Sequence, residues 1–178
     1  MTMASWTDLT LIQTPARIAA LPKDQRGYPI PHTVLIQDGK PNFRVVDPEK
    51  AMHAVQEKLC GICGGKLGKY MAFVGGPRSI KSRCFTDLAM HSECASYALA
   101  VCPFLAMPKF SYLNVSDDKH HVNHLVSTNR PDTFGMGITT KYKVIELQGE
   151  MIIKAGSFTR VQFWTDGKPV GATRLREL

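Results

Sequence analysis

Two short pairs, Cys60-x-x-Cys63 and His91-x-x-Cys94, with 27 residues between them, constrain the fold more than any other feature of the chain. Structural zinc takes four thiolate or imidazole donors in a tetrahedron, and closely spaced donor pairs bring two donors at a time to one point. Cys60-Gly-Ile-Cys63-Gly-Gly reads as a tight turn in which two sulfurs converge. His91 and Cys94 stand at i and i+3 at the start of an expected helix, so they share one face. The positive end of the helix dipole favours thiolate charge there. Turn, hairpin, then a helix with ligands in its first turn is the order of a treble-clef finger. Cys60, Cys63, His91 and Cys94 are therefore expected to hold Zn2+ in a treble-clef-like module over approximately residues 58–104. Packing alone would also give a stripe of His91, Cys94, Ala95, Ala98 and Cys102, but it does not explain the paired spacing. Cys84 or Cys102 is the alternative to His91 as fourth ligand. Four protein ligands leave no open position, so the metal is expected to be structural.

All five cysteines lie between Cys60 and Cys102. An odd, clustered set favours local coordination over a disulfide framework. With 178 residues, 44% hydrophobic and 21% charged, the chain fits one globular domain over 1–178 and excludes disorder. Its longest near-apolar run, Tyr97 to Met107, contains Pro103 and falls short of the roughly 20 residues of a membrane span. The first basic residue is Arg17, so no secretory leader is expected and the reading is cytoplasmic.

The formal charge is +7, and it is unevenly placed. Between Glu57 and Asp87 there is no acid, while Lys58, Lys66, Lys69, Arg78, Lys81 and Arg83 fall in that window. Elsewhere basic and acidic residues nearly balance. Such a patch attracts anions, either nucleic-acid phosphates or an acidic protein surface. Lys66, Lys69, Arg78, Lys81 and Arg83 are the expected contacts, on the hairpin face of the zinc module. A solvated basic loop is the plain alternative.

The fold expected is α+β, a zinc module (knuckle, hairpin, helix) embedded in a mainly antiparallel β domain. Thr33–Gln37 and Asn42–Val46 flank Asp38-Gly39 as a hairpin. Asp47-Pro48-Glu49 starts a helix with Ala51, Met52, Val55 and Leu59 as its buried stripe. Tyr70–Val74 is an expected strand, and a second short strand is placed near Ser79–Phe85. Thr86 or Asp87 is expected to cap a helix over about 88–101, ended by Pro103 acting on Cys102. Residues 103–133 read as a long connection. The β-rich C-terminal part, about 134–178, carries strands at 141–147, 151–154 and 159–164 with turns at Gln148-Gly149 and Asp166-Gly167.

Enzymatic readings have less support. Treble-clef modules also carry His-Me finger endonucleases, which need a histidine between the ligand pairs as general base. Residues 64–90 contain none, and Asp87 is their only carboxylate. A metal-dependent nuclease or hydrolase using His120, His121 and His124 with Asp117 is the alternative, against a polar connection as the ordinary explanation. Gly75-Gly76-Pro77-Arg78-Ser79 as an anion nest, and Tyr70, Phe73 and Trp164 as base-stacking rings, are weaker signals still.

Several motifs follow one another in a fixed order: Arg26-Gly-Tyr-Pro-Ile-Pro31, Asp38-Gly-Lys-Pro-Asn-Phe-Arg-Val-Val-Asp47, Cys60-Gly-Ile-Cys63-Gly, Ala72-Phe-Val-Gly-Gly-Pro77, His91-Ser-Glu-Cys94-Ala and Cys102-Pro-Phe-Leu105. In this order the chain resembles a group of small bacterial and bacteriophage zinc-binding proteins over about residues 26–105. Phe163-Trp-Thr-Asp-Gly-Lys-Pro169 is similar to a later segment of the same group. The resemblance implies that the cysteine and histidine pairs act as a unit, in a microbial or phage setting, and implies no activity.

Overall fold

The fold is known from a computed structural model, which describes residues 12–106 and 131–171. It is mixed α and β with antiparallel pairing throughout. In chain order the elements are α1 (Ala16–Ala19), β1 (Val34–Gln37), β2 (Lys40–Val46), α2 (Pro48–Glu57), β3 (Met71–Gly75), α3 (Pro77–Ser82) and β4 (Cys84–Phe85). There follow α4 (Ser92–Val101), α5 (Pro103–Ala106), β5 (Thr133–Thr139), β6 (Tyr142–Leu147), β7 (Glu150–Ala155), β8 (Arg160–Thr165) and β9 (Lys168–Val170). Among the described residues these form three sheets, ordered β1-β2, β3-β5-β8-β9 and β4-β7-β6.

The first elements form for local reasons. Asp38 and Gly39 both take positive φ, 49° and 73°, which closes the two-residue turn of β1 and β2 with the twist the strands need. Asp47 caps α2 by accepting from the amides of Glu49 and Lys50 at 3.0 and 3.2 Å, a contribution of about 1 kcal/mol. Pro48 needs no donor in the first turn. Lys58 ends α2 in the left-handed conformation, and Leu59 N–H returns to the Ala54 carbonyl at 2.8 Å. Ala51 and Ala54 are buried on this helix, whereas Met52, expected in the stripe, is 48% exposed.

β3 is the keel. Its residues alternate between two cores, Met71 and Phe73 on one side, Ala72 and Val74 on the other. Phe73 is fully buried, with its ring centroid 5.1 Å from that of Phe85 and 5.7 Å from that of Tyr142. The opposite core holds Ile18, Cys60, Met90, Cys94, Ala95, Leu99, Phe134 and Met136. Each core therefore joins residues far apart in the chain, Ala51 to Val161 in one and Ile18 to Met136 in the other.

Three expectations need correction. Residues near Ser79–Phe85 do not form a strand hairpin with β3. Pro77 opens the helix α3 there, and only Cys84–Phe85 is extended. β3 pairs instead with β5, and β4 with β7, so the two strands between the ligand pairs belong to different sheets. Secondly, α4 starts at Ser92 and not near Leu88, and neither Thr86 nor Asp87 caps it. Leu88, Ala89 and Met90 are buried and extended, because Ala72 and Met90 exchange backbone hydrogen bonds at 2.8 and 3.0 Å. Thirdly, the connection placed over 103–133 begins with the turn α5 and ends inside β5, a strand absent from the expectation. The end of α4 is as expected: Cys102, before Pro103, is extended at φ −62° and ψ 122°.

Candidate metal centre

The Cys60–Gly65 turn is built by its own backbone. Gly64 N–H donates to the Cys60 carbonyl at 2.9 Å, and Cys60 N–H to the Gly65 carbonyl at 2.8 Å. Gly64 has φ +71°, and a Cβ there would lie 2.8 Å from the ring of His32, so only glycine fits. Neighbouring segments hold the turn in place. His32 N–H donates to the Ile62 carbonyl at 2.7 Å, and the Thr33 hydroxyl to the Gly61 carbonyl at 2.9 Å. Gly61 N–H donates to the Ala89 carbonyl at 3.0 Å. The extended strip 88–90 thus lies between the turn and β3, and delivers His91 to the two sulfurs.

Cys60, Cys63, His91 and Cys94 meet, with their donor atoms all within 4.8 Å of one another. Cys60 and Cys94 are completely buried, and Cys63 and His91 are partly so. The His91 ring is oriented by the chain. Its Nε2 lies 3.0 Å from the Lys66 carbonyl, an acceptor that requires the proton on Nε2. That leaves the Nδ1 lone pair facing Cys63 Sγ at 3.3 Å and Cys94 Sγ at 3.9 Å. Backbone donors face the sulfurs: His91 N–H to Cys60 Sγ and Gly65 N–H to Cys63 Sγ, both at 3.4 Å. The oriented imidazole and the N–H···S bonds are the supporting shell that tunes a metal site.

The three thiols hold their protons unequally. The Cys94 thiol donating to Cys60 has the largest influence and brings Cys60 down to about 4, with backbone donors helping and burial opposing. Cys94 is held above its ordinary value by that same hydrogen bond, and Cys63 is raised by burial. A metal ion taking these ligands displaces the protons of Cys63 and Cys94, so acid competes with the metal. The donor set can hold a metal ion. Cys84 and Cys102, the alternative ligands, are not part of it.

One participant carried no signal in the sequence. Arg17, the second residue of α1, forms an ion pair with Glu93 and brings Nη1 to 3.4 Å from His91 Nε2. Ile18 beside it is buried in the core that contains Cys60 and Cys94. The guanidinium thus offsets thiolate charge from outside the tetrad.

The five basic residues expected on one hairpin face are divided by β3. Lys66 and Lys69 precede it, and Lys66 pairs with Glu57 at 3.8 Å. Arg78 and Lys81 lie on α3 and Arg83 caps it. All but the partly buried Arg83 are exposed. Strand geometry of about 3.3 Å per residue separates the two groups by the length of β3. His120, His121, His124 and Asp117 lie outside the described residues. No helix among the described residues is long and apolar enough to cross a membrane. Compared with known protein families, curated proteins and solved structures, the chain shows no match.

Proposed function

We propose that this is a structural-zinc protein that binds nucleic acid through its acid-free basic segment. The observation that carries the reading is the closed Cys3His tetrad, whose first pair, Cys60 and Cys63, lies in the stretch between Glu57 and Asp87 that holds six basic residues and no acid. Three sulfurs and one imidazole nitrogen are a zinc donor set, and four protein ligands leave no position for water or substrate. The metal's role is then to fix the turn, the 88–90 strip and the start of α4 around one point. Fixing them also sets β3 and the cations at its two ends. The exposed Arg78 and Lys81, with Arg83, are the favoured contacts, since Lys66 already has Glu57 as partner.

Fluorescence anisotropy of a short labelled DNA duplex, titrated across a range of salt concentrations, tests the binding. Engagement of about four phosphates gives a log–log salt slope of about −3.6. A flat salt dependence, or no retardation of DNA or RNA at low salt, rejects the nucleic-acid reading.

A further inference from the structure

We infer that the phosphate backbone lies on the cationic edge of the three-stranded sheet, across Arg83, Lys141, Lys143 and Lys154, with Lys81 beside them. The inference rests on the nucleic-acid reading above and moves its main contacts onto the C-terminal strands.

Lys143 on β6 stands directly opposite Lys154 on β7. Directly opposed positions share a face of the sheet, and like charges placed so destabilise it. Lys154 in turn stands opposite Cys84 on β4, with Nζ 3.7 Å from the sulfur, and donates to the Ser82 carbonyl at the end of α3. The next residue, Arg83, holds a left-handed backbone at φ 57°, which costs a non-glycine residue energy. Its carbonyl accepts from Ala155 N–H at 2.8 Å, and its guanidinium donates to the Ser157 hydroxyl at 3.3 Å. Lys141 arrives at the same place. Its carbonyl accepts from Gly156 N–H at 2.8 Å, and a Cβ at Gly156 would lie 2.8 Å from Lys141 Cγ. The lysine stem therefore lies over a position kept bare.

Four cations thus gather around residues 154–157, and Lys81 sits in the last turn of α3 next to them. The ion pairs among the described residues are Arg17–Glu93, Arg26–Asp24 and Lys66–Glu57, none of which touches this group. The negative end of α3 accounts for Lys154. It does not account for Lys143 or Lys141, which are exposed on the neighbouring strand and its approach. Adjacent strands lie about 4.8 Å apart, so Lys143, Lys154 and Cys84 make a row across the sheet, with Arg83 next to it at the level of Ala155 and Lys141 at the level of Gly156. A row of unneutralised cations suits a polymer with evenly repeated negative charge.

The test is the same anisotropy titration with two double variants, Lys141→Gln with Lys143→Gln, and Lys66→Gln with Lys69→Gln. All four positions are exposed. The first double variant is expected to reduce the magnitude of the salt slope by about 1.8, for two lost phosphate contacts, and the second to leave it near the parent value. If the Lys66/Lys69 variant loses the slope and the Lys141/Lys143 variant binds like the parent, the sheet edge is not the contact and nucleic-acid binding still stands. If the parent chain binds neither DNA nor RNA at low salt, the underlying reading fails as well. Tighter binding of polyglutamate than of DNA of equal charge overturns the proposal in favour of an acidic peptide.

Discussion

Cys94→Ser is expected to abolish cooperative thermal unfolding at ambient temperature, leaving no folded baseline by circular dichroism, while Cys84→Ser melts close to the parent. Cys94 is completely buried, belongs to the core that also holds Leu99 and Phe134, and is one of four donors within 4.8 Å. A structural zinc site supplies about 10–16 kcal/mol of apparent binding free energy. A whole domain is stable by only about 5–15 kcal/mol, so losing the site removes most or all of the margin. The serine also leaves two cysteine sulfurs and an imidazole facing one another without the ion. Cys84 touches Lys154 and the Ser82 carbonyl, outside the tetrad, so its removal costs little. Excess chelator should reproduce the Cys94→Ser melt in the parent chain. A Cys94→Ser protein that melts within a few degrees of the parent would mean that packing, and not a metal, closes this region.

Phe73→Ala has the second largest expected effect, a loss of about 3–5 kcal/mol in global stability. Phe73 is wholly buried in the centre of β3, against the rings of Phe85 and Tyr142. Those partners come from β4 and β6, the two outer strands of the three-stranded sheet, so the cavity would open where that sheet meets β3 and three segments of the chain come together. Urea unfolding with the metal present should show a lower midpoint at an unchanged slope. A loss below about 1 kcal/mol would show that the site collapses around the smaller side chain, and that β3 is not the keel of the fold.

The parts of the molecule legible in the sequence are those set by short-range chemistry. Asp38-Gly39 dictates a tight turn through two positive φ angles, Asp47-Pro48 a helix start, and Pro103 a helix end. The tetrad was legible because its spacing repeats a donor pair on each side. Elements set by distant partners were not legible. β5 contains Gly135 and Gly137, which weaken any local strand signal. Both are required from outside: a Cβ at Gly135 would lie 2.4 Å from Ile80, and one at Gly137 would lie 2.5 Å from Phe158. The six residues of α3 are too few to show a helical period, and only Ile80 among them is buried. Leu88–Met90 looked like the first turn of a helix until the Gly61 and Ala72 backbones were there to hold it extended. Arg17 lies 74 residues from His91 in the chain, and nothing local marks it.

The proposed role of this protein depends most on Cys60, Cys63, His91 and Cys94 closing around one ion. Zinc-edge X-ray absorption of the purified parent chain, with the metal content determined on the same sample, tests this most directly. The expected result is one zinc per chain, with three sulfurs at about 2.3 Å and one nitrogen at about 2.0–2.1 Å. A folded chain without metal, or a zinc shell of oxygen and nitrogen only, would contradict it.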